Sequence, residues 1–441
     1  MTTPPAAGEK AWFGQPRGLT ILFLTNMWEQ FSYYGMRSLL VYYMTRQLLI
    51  DQQSSSLIYG AYTSLAYFTP IVGGVVADRW LGKRRAVTIG AAVMAAGHFM
   101  MAFEPAFYFA LATIALGNGL FLPTLPSQIN DLYAAADPRR AWAYNVYYVG
   151  VNIGGFLAPL ICGTLGELYG WHWGFGAAGV GMLAGLSIYL AGGKHLPPET
   201  RFAEAAPRPA AARGGRIFWL LVGVGLAVTV FRGAYEQVGN TVALWAGSGV
   251  DRSLGAFAVP MTWFQSLNPL LVMLMTPALL ARWRRRAAAG REHSPLQKMA
   301  IGALIVGCAY LLLAGAAALA GSGQASWLWL AAFFLIFTLG ELYILPNGLG
   351  LFARLAPPRL GATTVAAWYL AIFTGSLSAG LVGTLWSRLG PAPFFVLLAG
   401  IAAAAAAILS RLDAPARRIV ARAEEAEEAL SAELTAPPPP I

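Results

Sequence analysis

Long apolar runs recur along almost the whole chain, and they constrain the fold more than any other feature of the sequence. The composition is 57% hydrophobic and only 11% charged, whereas soluble domains carry about a quarter charged residues. A run of about twenty apolar residues crosses a bilayer as a helix, because its backbone N–H and C=O groups must all be satisfied within the segment. The sequence therefore predicts an all-α, multi-pass membrane protein.

The apolar runs delimit twelve predicted transmembrane spans. They lie at residues 18–46, 55–78, 84–104, 106–133, 142–165, 173–193, 216–246, 255–281, 297–320, 326–353, 360–387 and 391–410. Nearly all of the 30 Lys and Arg residues then fall at one end of the bundle, and only Arg46, Arg252 and Arg388 lie at the other. The positive-inside rule places the basic end, with both termini, in the cytoplasm.

The net charge of +10 follows from this topology, so no nucleic-acid partner is predicted. The expected location is the cell membrane, and the inner membrane where the source is a Gram-negative bacterium. The expected partners are the lipid bilayer and a transported solute, and the protein is expected to be monomeric.

The chain divides into two halves joined by a polar segment. Residues 1–193 are predicted to form an N-terminal six-helix bundle, and residues 216–411 a C-terminal one. Between them, residues 194–215 are rich in proline and charge and form a predicted cytoplasmic linker. Residues 412–441 form a predicted cytoplasmic tail that ends in prolines.

The two halves repeat each other weakly. LGNGLFLP at 116–123 aligns with LGELYILP at 339–346, and residues 147–165 align with residues 367–385, both closing on GTL. The matches keep their order at a near-constant offset, which indicates duplication. Two six-helix bundles related by pseudo-symmetry resemble the major-facilitator fold, which binds its substrate between the halves near the bilayer midplane.

The loop between the second and third spans, GGVVADRWLGKRR, fits the facilitator pattern GxxxDRxxGRR. A glycine at the start allows close helix approach, and the aspartate can pair with cations and helix ends at the cytoplasmic face. We therefore expect a gating motif that consists of Gly74, Asp78, Arg79, Gly82, Lys83 and Arg84.

Several stretches resemble one branch of the facilitators. EQFSYYGMR resembles a first-helix signature ExxERFxYYG, and GNGLFLPTLPSQINDLY followed by YYVGVNIGGFLAPL resembles a fourth-to-fifth-helix signature. YEQVGN, WFQSLNP and LGELYILPNGL resemble helices seven, eight and ten. Because these motifs fall in order across nearly the whole chain, it resembles the proton-dependent oligopeptide transporter family. The resemblance implies proton-driven import of di- and tripeptides, with no cofactor and no bound metal.

The chain departs from the family pattern at four positions. The first glutamate of ExxER is Asn26, its arginine is Gln30, and the family's helix-four lysine is Leu122. Arg232 stands where an aromatic residue usually precedes the helix-seven glutamate. The sequence therefore resembles an atypical member of the family, with a rearranged set of charges.

Five charged residues lie in the middle of predicted spans: Glu29, Arg37, Arg232, Glu236 and Glu341. Each costs about 2.5–3.5 kcal/mol at a helix centre, so they must face one another or a wet cavity. Glu29 and Arg37 stand roughly 12 Å apart on one helix and cannot pair with each other. Their partners are expected on other helices or on the substrate.

A zwitterionic peptide needs a cation for its carboxylate and an acid for its amine. Arg37, helped by Arg232, is predicted to bind the carboxylate, and Glu341 the amine. Asn152 and Asn268 are predicted to hydrogen-bond the peptide backbone.

By resemblance, four aromatic side chains line the same pocket: Tyr33, Tyr34, Tyr67 and Trp368. Glu236 also belongs to the predicted site, since Arg232 and Arg37 are both candidate partners for it. It is the first candidate for proton coupling, with Glu29 and Glu341 as the others.

Other interpretations stay open. The i,i+4 pair of Arg232 and Glu236 could only help both groups tolerate burial, and Glu29 could be a neutral core acid. The carrier could take another solute, such as a cell-wall fragment, a drug or a small anion. An intramembrane enzyme is disfavoured because HExxH, GxSxG and CxxC motifs are missing.

Overall fold

The computed structural model is almost entirely helical. It describes residues 14–133, 137, 139–197, 215–355 and 361–435. Most of the predicted linker, from residue 198, and the end of the predicted tail, from residue 436, lie outside the described residues.

The helices of the first half are α1 (Arg17–Tyr42), α2 (Gln52–Val76), α3 (Lys83–Met100), α4 (Phe107–Phe121), α5 (Thr124–Asp131), α6 (Arg139–Ala158), α7 (Thr164–Tyr169) and α8 (Trp171–Ala191). Single π-helical turns extend α1, α2 and α6, at Tyr43–Gln47, Ala77–Leu81 and Pro159–Gly163. The break between α4 and α5 coincides with Pro123, whose ring and missing N–H do not fit a helix interior.

The helices of the second half are α9 (Gly215–Tyr235), α10 (Thr241–Ser248), α11 (Trp263–Ala288), α12 (Pro295–Ala320), α13 (Trp327–Leu355), α14 (Gly361–Gly383), α15 (Trp386–Leu389) and α16 (Pro391–Thr435). A 3₁₀ turn at Glu236–Gly239 joins α9 to α10. The strands are two residues each: β1 (Val250–Asp251) pairs in parallel with β4 (Ala325–Ser326), and β2 (Ser253–Leu254) is antiparallel to β3 (Phe257–Ala258).

Nine helical segments of the described residues are long and apolar enough to cross a membrane. They coincide with the last nine of the twelve predicted spans. The first three predicted spans are also helical, but they are more polar. In α1, for example, Asn26, Glu29 and Gln30 are buried inside the bundle, so that polar residues replace apolar ones on the inner face of the helix.

The backbones of the two halves meet where α2 crosses α14. A Cβ atom on Gly60 would lie 2.5 Å from the Cα atom of Gly380. Only glycine at both positions lets the two backbones meet, as in small-residue contacts between other membrane helices.

Hydrogen bonds between the halves concentrate at the end of the bundle where α1 ends, which we call the closed end. The Tyr42 hydroxyl donates to the Ala243 carbonyl at 2.6 Å, and the Ser56 hydroxyl donates to the Asn240 side chain at 3.1 Å. The Ser266 hydroxyl donates to the carbonyl of residue 156 at 2.8 Å. The opposite end, where α1 begins, carries most of the Lys and Arg residues, and we call it the basic end.

Glu167, at the closed end of the first half, caps a helix of the second half. Its carboxylate accepts hydrogen bonds from the backbone N–H groups of Met261 and Thr262 at 3.0 and 2.9 Å, and from the Thr262 hydroxyl at 2.6 Å. These donors lie just before α11, where a helix has no internal acceptors and where its dipole favours an anion. The contact therefore ties the two halves together.

Replacing Glu167 with alanine is expected to loosen the closed end. Loss of a capping side chain costs about 1 kcal/mol, so a buried thiol there should react on the order of fivefold faster. The measurement is the labelling rate of a cysteine introduced at Ala243, in a background in which Cys162 and Cys308 are replaced.

Asp251→Ala serves as the control, because Asp251 lies at the same end and its carboxylate accepts hydrogen bonds from the nearby Ser253, in the same half. Equal labelling rates in both variants would show that Glu167 does not hold the halves together.

Candidate functional site

Glu236 lies between two arginines, one from each half of the molecule. Its Oε2 atom accepts a hydrogen bond from Arg37 of α1 at 2.6 Å, and its Oε1 atom accepts one from Arg232, one turn earlier on α9. The Glu236 side chain is only 2% exposed. One buried carboxylate thus serves two guanidinium groups across the interface between the halves.

Aromatic side chains surround the Arg37 guanidinium. Its Nε atom donates to the Tyr59 hydroxyl at 2.8 Å. The Tyr34 and Tyr59 rings lie 6.0 and 5.8 Å away, within the range of cation–π attraction. Arg37 keeps 15% of its side chain exposed, so it is the more accessible of the two guanidinium groups.

Arg232 is more deeply buried, with 3% of its side chain exposed. Besides Glu236 it donates to the Ser376 hydroxyl of α14 at 3.1 Å. The rings of Tyr67 and Tyr235 lie 5.0 and 4.8 Å from its guanidinium. Its Nε atom has no hydrogen-bond partner among the described residues, so the group retains one unused donor.

Glu341 of α13 has only neutral hydrogen-bond partners among the described residues. The Tyr235 hydroxyl donates to its Oε1 atom at 2.7 Å, and the Asn268 amide donates to its Oε2 atom at 2.5 Å. Because Tyr235 touches both Arg232 and Glu341, it links the acid to the arginine cluster. Glu341 therefore has oriented donors and no bound cation.

The structure brings together most of the residues predicted for the site. Direct contacts run from Tyr33 and Tyr34 through Arg37, Glu236, Arg232 and Tyr67, and then through Tyr235 to Glu341 and Asn268. We call this set the central cluster, and its members come from both halves.

Three predicted residues are not linked to the central cluster by these contacts. The Asn152 amide donates to the Tyr148 carbonyl of its own helix at 2.9 Å. Trp368 is 3% exposed and packs against Phe352 in the second-half core. Glu29 is 1% exposed and accepts a 2.7 Å hydrogen bond from its neighbour Gln30.

The sequence analysis missed Tyr235, a member of the central cluster, and also Tyr59 and Ser376, which bond its two arginines. Tyr59 lies eight residues before Tyr67 on α2, so helical spacing places both on one face and could have revealed it. Tyr235 precedes Glu236 directly. Ser376 gave no signal, because a serine on a membrane helix commonly bonds its own backbone.

The residues of the predicted gating motif lie around the turn from α2 to α3, at the basic end. Gly82 has a φ of +80°, in the left-handed region that favours glycine. The Lys83 ammonium pairs with Asp131 of α5 at 2.5 Å, and Arg84 donates to the Gly193 carbonyl beyond α8. A Cβ atom on Gly74 would lie 3.6 Å from Pro123. These contacts join helices of the first half, so the motif holds that half together in this conformation.

The POT family profile (PTR2) matches the chain at residues 84–207 and 214–391. The chain belongs to the POT family. This is the transporter family that the motifs resemble, so the predicted resemblance is confirmed.

Relatives and solved structures agree with this POT-family membership. The chain is 33% identical over 426 residues to the uncharacterised transporter YclF of Bacillus subtilis (strain 168), covering 82% of this chain and 86% of that one. It is 30% identical over 465 residues to the di-/tripeptide transporter of Lactococcus lactis subsp. cremoris, covering 88% and 93%. A crystal structure of a peptide transporter POT with sulfate superposes with a TM-score of 0.86 at 28% identity, covering 93% and 97%.

These similarities confirm the predicted major-facilitator fold and the prediction that the protein is a transporter and not an enzyme. In the described residues of this POT-family member, no group of His, Cys, Asp and Glu side chains is arranged to hold a metal ion. The candidate site is therefore the central cluster itself.

Removing the shared carboxylate is expected to destabilise the fold. Glu236→Gln leaves two guanidinium groups without their counter-ion, and breaking a buried ion pair costs about 3–5 kcal/mol. The double variant Arg232→Met/Glu236→Gln removes the more buried cation as well and should recover part of that loss. Unfolding of the purified protein in detergent measures both.

The matched control is Arg139→Gln, which breaks the exposed pair of Arg139 with Asp137 and should cost less than about 1 kcal/mol. A double variant no more stable than Glu236→Gln would mean that the arginine pair does not depend on this carboxylate.

Proposed function

We propose that this transporter is a proton-coupled symporter that imports di- and tripeptides by alternating access. The observation that carries the proposal is the shared Glu236 carboxylate, held between guanidinium groups of both halves. The similarity to proteins named as di-/tripeptide and peptide transporters supports the substrate class. The protein acts as a monomer in the cell membrane, with both termini in the cytoplasm.

The peptide carboxylate binds Arg37, helped by Arg232. Arg37 is the more exposed of the two, and its bond to Glu236 is one that an incoming carboxylate can compete for. Glu341 binds the peptide amine, because its carboxylate has hydrogen-bond donors but no cation in the described structure. Asn268, next to Glu341, bonds the peptide backbone, as does Asn152.

Proton coupling follows from the competition for Arg37. A carboxylate between two cations stays ionised, and it accepts a proton more readily when one cation turns to another anion. When the peptide takes Arg37, Glu236 keeps only Arg232 and takes up a proton. Among the described residues Glu29 is bonded by Gln30 and by no arginine, and it contributes less to this step.

Alternating access requires that only one end is open at a time. With cytoplasmic termini, the end at which the hydrogen bonds between the halves concentrate faces outward. Arg37 and Glu236 lie where the halves meet, so breaking their bond favours opening of the outer end. A substrate that touches both halves shifts the balance between the two states.

The second candidate is a carrier for another solute, such as a cell-wall fragment, a drug or a small anion. It is favoured by one observation: Leu122 and Gln30 stand where the family pattern has cations. The two candidates are separated by measuring the uptake of a labelled dipeptide in the presence of each of these solutes as a competitor.

The proposal is tested by uptake of labelled di- and tripeptides into proteoliposomes with an imposed pH gradient. Glu236→Gln is expected to lose gradient-driven accumulation and to keep counterflow exchange, which needs no net proton movement. Glu29→Gln, the matched control, should keep most of both. If Glu29→Gln uncouples transport and Glu236→Gln does not, the proton passes through α1 instead.

Glu341→Gln tests the amine site. The charge-assisted bond to the amine contributes roughly 1.5–3 kcal/mol, so dipeptide affinity should fall about 10- to 100-fold. Analogues without the amine should lose much less. Tyr235→Phe, which removes only the hydroxyl bond to Glu341, should have a smaller effect. Competition binding measures the affinity for the dipeptide and for the analogue without the amine. Equal losses of affinity for the two ligands would contradict an amine contact.

A further inference from the structure

An arginine-lined cavity lies at the basic end of α11, away from the central cluster. Its volume is about 620 Å³, and it is lined by Ala278, Ala281, Arg282, Arg285, Arg286, Ala289 and Arg291. The lining residues on α11 recur at intervals of three and four, so they form one face of the helix. Alanines and arginines therefore share a concave surface.

The four arginines of the cavity have no carboxylate partner among the described residues. The ion pairs of that part of the chain involve other residues, such as Lys298 with Glu292 at 2.8 Å. Arg286 donates to the Arg291 carbonyl at 3.3 Å. This hydrogen bond holds the Arg286 side chain in place but does not neutralise its charge. Four like charges held this close repel one another, so an anion at their centre is favoured.

The cavity lies on an exposed stretch of α11, more than two turns beyond Pro269. Leu274 lies on the same face of α11, one turn before Ala278, and is 65% exposed. The residues of α11 that meet the first half lie in its first two turns and include Gln265, which donates to the Ser38 carbonyl, and Pro269, which packs near Gly155. Helical spacing puts these two on the opposite side from Ala278 and Arg285.

An aromatic side chain marks the depth of the arginines in the membrane. Trp283 lies between Arg282 and Arg284 in sequence, with its ring 4.8 Å from the Lys298 ammonium and 5.2 Å from the Tyr343 ring. Tryptophan and tyrosine concentrate where hydrocarbon meets headgroups. The arginines therefore lie at headgroup depth, and the alanines lie just below.

We propose that this cavity binds the headgroup of an anionic phospholipid from the leaflet at the basic end. The phosphate binds Arg282 and Arg285, with Arg286 and Arg291 closing around it. The acyl chains run along Leu274, Ala278 and Ala281. Basic pockets beside membrane helices suit this chemistry, because they combine charge with an apolar floor.

The test compares two pairs of arginines with the same total charge. Arg282→Gln/Arg285→Gln removes two cavity arginines. Arg284→Gln/Arg418→Gln removes one arginine from another face of α11 and one exposed arginine of α16. Native mass spectrometry of the detergent-purified full chain, titrated with phosphatidylglycerol, measures the apparent Kd. We expect a roughly tenfold or greater weakening in the first pair only.

Three other results would overturn the proposal. Equal weakening in both pairs would mean that the lipid responds to overall positive charge. Equal binding of phosphatidylcholine by the wild-type chain would mean that the cavity does not select an anionic headgroup. Displacement of phosphatidylglycerol by millimolar inorganic phosphate would mean that the site takes a free anion. Thermal unfolding of each variant checks that the fold is retained.

Discussion

The ion cluster of Arg37, Glu236 and Arg232 is the interaction on which the central part of the structure depends. A charge at the centre of a membrane helix is costly unless a counter-charge is close. Here one carboxylate neutralises half of the charge of two guanidinium groups, and tyrosine rings and hydroxyls supply further favourable contacts. Because Arg37 belongs to the first half and the other two to the second, this electrostatic requirement also holds the halves together.

The closed end is held by contacts of a different kind. Among the described residues, the hydrogen bonds there join neutral groups, such as the Tyr42 hydroxyl and the Ala243 carbonyl, except for the Glu167 cap and the bond from Arg46 to the Gly247 carbonyl. Each contributes only about 1 kcal/mol, since water can replace either partner when the end opens. The close contact of Gly60 with Gly380 adds van der Waals packing without a strong bond. A closed end that is held by many weak contacts can open, and the other end can then close with a similar set of contacts. A large apolar interface could not be exchanged in this way.

The sequence predicted the positions of the helices and of the mid-span charges better than it predicted which side chains contact one another. The five mid-span charges, the candidate partners of Glu236 and the gating motif could all be located from spacing and composition. Spacing gives the face of a helix but not its rotation against a neighbour. The bond of Arg37 to Tyr59 and that of Tyr235 to Glu341 therefore appeared only in three dimensions. For the same reason Trp368, predicted in the pocket, packs against Phe352.

The departures from the family pattern have a common physical consequence. Gln30 stands where the pattern has arginine, and its amide donates a hydrogen bond to Glu29 in place of an ion pair. The Asn26 amide donates to the Tyr147 carbonyl at 3.2 Å. Amides satisfy buried acceptors without adding charge, so Arg37 is the one cation in the middle of α1. Arg232 adds a cation beside Glu236 in the second half. The charge lost from the first half is thus replaced across the interface, next to the carboxylate that Arg37 already contacts.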